Sequence, residues 1–177
     1  KQAFLEMAPN IDLLHIASHA VFDPATPNLS YLQLAQGEKL FLEEVYGLSI
    51  PAELVVLSAC QTATSAHYGR SVHAFHLAFF QAGVPSVIAG LWDLPDLATS
   101  HIMEDFYRSL QTGTGKANAL RSAQLALIEA DAEAYQHPFF WAGLVVQGDA
   151  SPIFSQHNTY SSMAIKLLLG LLAIVGL

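Results

Sequence analysis

The chain has 177 residues and one cysteine, Cys60, which ends the apolar run LVVLSAC (54–60). A second run, IDLLHIASH (11–19), ends in His19. A third, PSVIAGLWDLPD (85–96), ends in two acids, Asp93 and Asp96. A lone cysteine is often a small buried hydrophobe, and a histidine at a strand end often bonds a nearby carbonyl. A cysteine nucleophile, however, needs a base or an imidazolium within hydrogen-bond reach. Cys60 and His19 could meet that need only if their runs are neighbouring strands ending at the same edge. Both readings stay open on residue types alone.

The elements between these residues indicate how they could meet. Runs 11–18, 52–59, 85–92 and 139–149 are nearly continuous apolar stretches, as expected of buried strands. FDPATPN (22–28) is a loop, and YLQLAQGEKLFL (31–42) reads as a hairpin around Gln36-Gly37. Short helices are expected over 3–8, stopped near Pro9, and over 42–48, stopped by Gly47 and Pro51. Longer ones are expected over 71–83, 96–113 and 116–132, with Gly83 a C-cap and Asp96 an N-cap. Strands separated by helices imply βαβ units, hence an α/β fold: a three-layer α/β/α sandwich with a mostly parallel central sheet. Ligands in such folds bind beyond the carboxyl ends of the strands, where His19, Cys60, Asp93 and Asp96 fall.

Composition narrows the function classes. Hydrophobic residues make up 53% and charged ones 12%, as in a sheet covered on both faces. A net charge of −8, with 7 Lys and Arg, argues against nucleic acid or anionic lipid as partner. One cysteine excludes an internal disulfide and any multi-cysteine metal site, and fits a reducing, cytoplasmic setting. His73 and His76 share a helix face near His67, yet no local carboxylate or cysteine completes a metal set. His101 reads as a surface residue, His137 as a turn residue, and Trp92 and Trp141 as core. Residues 1–150 form one domain, expected to be a piece of a longer protein because it starts at Lys1 without a signal. SPIFSQHNTYSS (151–162) reads as a linker. Residues 163–177 form an apolar tail, shorter than the roughly 20 residues that span a bilayer. It reads either as the start of a membrane anchor or as a helix packing on the domain or a partner.

The blocks LLHIASHAVF, LEEVYGL, ELVVLSACQTA, AFFQAGVPSVIAGLWDLPDLAT and HPFFWAGLVVQGD, in this order, resemble those of CHAT domains. These are caspase-like cysteine peptidases related to separase and the caspases. The resemblance spans roughly residues 1–150. It implies a caspase-like fold and a His19/Cys60 dyad acting on a protein or peptide without metal or organic cofactor. Backbone N–H groups of Cys60 and Ala20 would form the oxyanion hole. LWDLPD matches a separase-like motif whose acid holds a basic P1 side chain, which makes Asp93 and Asp96 pocket candidates. Asp96 also suits the helix cap, so Asp93 is the preferred one. The resemblance further implies regulatory tetratricopeptide repeats upstream. Ala20 departs from the family's usual Gly, and would cost about 1 kcal/mol if left-handed geometry were required; that favours the alternative of an inactive scaffold for assembly. Gln61 replaces the frequent Glu, and Arg70 stands where an acid is common.

Overall fold

The computed structural model describes residues 1–23, 25–58, 60–61, 68–130, 132–153 and 168–170. His67, most of the 151–162 linker and most of the apolar tail fall outside them.

Each central strand divides its side chains between two cores. Leu13–Ile16 (β1), Leu54–Leu57 (β5) and Ser86–Gly90 (β7) lie parallel, in the order β7-β5-β1. On one face, Leu14, Ile16, Val55, Leu57, Val87 and Ala89 pack with Phe75, Ala78, Phe79 and Ala82 of helix α3 (Tyr68–Gln81). Alternation of period two sends Leu13, Leu54, Val56 and Ile88 to the other face. There they meet Ala98, Ile102, Met103, Phe106 and Leu110 of α4 (Asp96–Gln111) and Ala119, Leu120, Ala123 and Leu127 of α5 (Lys116–Ala130). With both faces covered, these strands can afford near-continuous apolar sequence. The chain is therefore an α/β sandwich with a mostly parallel central sheet, as its sequence predicts.

Leu144–Gly148 (β8) closes one edge antiparallel to β7, and Leu168–Gly170 (β9) lies parallel to β1 at the other. The strand expected over 139–149 is shorter: Pro138–Phe140 form a 3₁₀ turn, and the ladder starts at Leu144. Pro138 lacks an N–H and favours such a turn. Gln2–Met7 (α1), Leu42–Tyr46 (α2) and Ala132–Tyr135 (α6) complete the helices among the described residues.

A second, four-stranded sheet was not anticipated. His19–Val21 (β2), Tyr31–Gln33 (β3), Lys39–Phe41 (β4) and Cys60–Gln61 (β6) run in the order β4-β3-β2-β6. β3 and β4 are the expected hairpin, with Gln36 (φ 59°) and Gly37 (φ 76°) both left-handed at its turn. β2 follows β1 after a break at 17–18, and β6 follows β5 in sequence.

Among the described residues no helix is long and apolar enough to cross a membrane.

Gly148 ends β8 at φ 92°, and a Cβ there would lie 2.2 Å from the Pro85 carbonyl oxygen. Gly148→Ala is expected to destabilise the domain by roughly 2–4 kcal/mol, through left-handed strain plus a backbone clash. Urea unfolding checks this.

Candidate functional site

Two neighbouring strands leave the central sheet in step. In β1 and β5, Leu13 pairs with Leu54 and Ile16 with Leu57. In β2 and β6, His19 pairs with Cys60 and Ala20 with Gln61. The sequence offset is the same in both ladders, 41 residues (54 − 13 and 60 − 19), so no register is lost across the bends. The Ser58 N–H carries the ladder over, donating to the Ile16 carbonyl at 3.1 Å. His19 and Cys60 thus become direct Cα partners on adjacent parallel strands, beyond the carboxyl ends of β1 and β5. His19 is exposed.

Ala20 lies next to His19 in β2, 3% exposed and also paired with Leu32 of β3. Gln36 is the one described non-glycine residue with positive φ, so Ala20 adopts no left-handed geometry. The strain that would favour an inactive scaffold does not arise. Ala20 is a ladder member between two strands, and its methyl is part of the core.

A cavity of about 530 Å³ opens where β1, β5 and β7 end, on the α4 side. Ser58, Gly90 and Trp92 line its strand side; Asp96, Ser100, Met103, Glu104 and Tyr107 line its helix side. Asp96 is the first residue of α4, after Pro95 at the cap position. Pro95 holds the cap position without a side-chain cap bond, so Asp96 is not the cap expected of it. Asp96 lines the cavity and Asp93 does not. Trp92, expected in the core, lines the cavity, and its indole N–H donates to the Phe139 carbonyl at 2.9 Å. A Cβ on Gly143 would come within 2.8 Å of that indole, so glycine is what lets Trp92 approach the backbone just before β8.

Sequence reasoning passed over three residues. His15 projects from β1 toward α4; its Nε2 lies 2.7 Å from Ser58 Oγ and its Nδ1 2.8 Å from the Tyr107 hydroxyl. Burial lowers the His15 pKa to about 4, so the ring is neutral, and burial raises that of the Tyr107 phenol. A histidine inside the apolar run LLHIA was the available signal, since a buried imidazole must find partners. The partners themselves lie 43 and 92 residues away. Among the other histidines, His76 is fully buried with Nδ1 2.6 Å from Gln147 Oε1. His101 is exposed, edge-on to Tyr135, and His137 accepts from the Phe139 N–H at its turn. Among the described residues no group of three or more His, Cys, Asp or Glu could hold a metal ion.

A family model described as CHAT domain matches residues 1–149. The chain belongs to the CHAT-domain family. Over 105 residues it is 33% identical to tetratricopeptide repeat protein 28 of Homo sapiens and 31% identical to that of Mus musculus. Each match covers 59% of this chain and 4% of the relative. The CHAT domain is caspase-like, and the mostly parallel sheet between helical layers agrees with that architecture.

His15 also sets a pH dependence. Its folded pKa, about 4 against 6.5, means that the unfolded chain binds more protons between those values, so stability rises with pH through this window. Acidifying from pH 7 to pH 4 should cost on the order of 3 kcal/mol from this group. Urea midpoints against pH are expected to show the loss, and His15→Gln to flatten that part of the profile.

Proposed function

We propose that this CHAT domain is a cysteine endopeptidase with Cys60 as nucleophile and His19 as proton carrier. The observation that carries the reading is the His19–Cys60 register pair at the carboxyl edge of a caspase-like sheet. In the first step the Cys60 sulfur, as thiolate, forms a bond to the scissile carbonyl carbon, and the carbonyl π pair moves to oxygen. The Cys60 backbone N–H is the donor assigned to that oxyanion. Collapse expels the amine, which takes its proton from the His19 imidazolium and leaves a thioester. Water then attacks the thioester, His19 accepts its proton, and the thiolate departs with the acid product released. Ala20, held between β3 and β6, provides a rigid wall beside the histidine.

The cavity supports a preference for a basic residue before the scissile bond. It begins at Ser58, two residues before Cys60, and is lined by the exposed Asp96 and by Glu104, whose Oε1 accepts from Arg108 at 2.9 Å. The Asp96 carboxylate suits a guanidinium or an ammonium. The match to tetratricopeptide repeat proteins supports a longer protein in which repeats regulate the domain by binding a partner.

A peptidyl electrophile with Arg at P1 is expected to label Cys60. His19→Ala should slow that labelling by roughly 10²–10⁴-fold, and Cys60→Ser should abolish it. Asp96→Asn should weaken labelling by the Arg probe and spare an otherwise identical Leu probe. Equal labelling of His19→Ala and the unaltered protein, read by mass spectrometry of the Cys60 peptide, would overturn the dyad.

A further inference from the structure

We propose that His15 is a positioning residue that ties helix α4, on the wall of the cavity, to the strand end that delivers Cys60. Three hydrogen-bonding groups from three elements stand in line: Tyr107 on α4, His15 on β1, and Ser58 just after β5. Their separations are 2.8 Å and 2.7 Å. All three also line the cavity.

Ser58 is held twice at the bend between β5 and β6. Its N–H donates to the Ile16 carbonyl, and its hydroxyl is bonded to His15. Two residues later the chain pairs with His19. The bond between His15 and Ser58 therefore fixes the point from which the Cys60 segment departs. The bond between His15 and Tyr107 references that point to α4. The neutral ring has one N–H and one lone pair, so the line runs in one of two directions. Either Tyr107 donates to Nδ1 and Nε2–H donates to Ser58, or Ser58 donates to Nε2 and Nδ1–H donates to Tyr107. The first frees the Ser58 proton to face the cavity, the second the Tyr107 proton. A molecule in the cavity that accepts from one hydroxyl sets the direction of the whole line, and with it the hold on Ser58.

The same geometry raises the case of a second nucleophile, Ser58, with His15 as base. The chemistry opposes it. A base must become imidazolium during attack. Its two ring nitrogens are bonded to the Ser58 hydroxyl and the Tyr107 phenol, so a neutral phenol rather than a carboxylate stands behind it. Positioning, which requires no proton gain, is the role that fits.

The consequence for turnover rests on the peptidase reading; the line of hydrogen bonds does not. The test is alkylation of Cys60 by iodoacetamide in the intact protein from pH 5.5 to 9, followed on the Cys60 peptide by mass spectrometry. Tyr107→Phe removes one hydroxyl and keeps the ring that packs against Phe106. Ser58→Ala removes the other end, and Ser58→Thr keeps a hydroxyl there. Tyr107→Phe and Ser58→Ala are each expected to slow alkylation at pH 7 about three- to tenfold and to move its pH midpoint upward. Ser58→Thr should return both toward the unaltered protein. Circular dichroism melts confirm that each variant is folded at the assay temperature; should Ser58→Ala not fold, Tyr107→Phe decides alone. Profiles for Tyr107→Phe that superimpose on the unaltered protein overturn the proposal. A protein that shows these shifts but cleaves no peptide keeps the positioning role and loses the peptidase; one that cleaves but shows no shift does the reverse.

Discussion

Parallel register between β1 and β5 is the constraint from which the rest of the site follows. Parallel ladders have evenly spaced, slanted bonds, so two strands that start in register stay so unless one gains a residue. Here the pairing resumes after both chains bend out of the central sheet, at the same offset. A one-residue slip would break the Cα pairing of His19 with Cys60. The Ser58–Ile16 bond, placed between the two ladders, prevents that slip where the strands are least supported.

The bends themselves follow from packing. The hairpin β3-β4 adds to β2, and its Leu32 and Leu40 are fully buried. Tyr31 and Phe41 pair across that hairpin edge to face. The hairpin, β2 and β6 form one sheet apart from that of β1 and β5. The interior polar groups mark the places where this arrangement had to be secured. His15 meets Ser58 and Tyr107. Lys116, fully buried, reaches the Asp149 carbonyl and carboxylate at 3.3 Å, while the Ser86 hydroxyl donates to the same carbonyl. These contacts tie the start of α5 and the end of β8 to β7, on the far edge from the candidate site.

Much of this was readable in the chain, and the misses have physical causes. Continuous apolar runs flanked by turn residues located β1, β5 and β7, because a strand buried on both faces tolerates little else. Helix α3 was legible from the spacing of Phe75, Ala78 and Phe79. β8 is shorter than its sequence suggests because the aromatic residues before it look like strand, whereas Pro138–Phe140 form a 3₁₀ turn and Phe140 and Trp141 pack on the core. Asp96 is the first residue of α4 and not its cap. One residue of difference in helix start separates the two, and such boundaries depend on what the helix packs against.

Residue types alone determined that His19, Cys60 and the acids of LWDLPD would fall at strand ends, since hydrophobic period and strand termination are local properties. Only the tertiary structure decided that His19 faces Cys60 in register, that Asp96 lines a cavity, and that His15 joins Ser58 to Tyr107. Each of these is a contact between residues 41 or more positions apart (60 − 19 for the nearest) or a consequence of helix docking. Its geometry comes from loop closure and side-chain packing across the whole fold, and no local pattern encodes it.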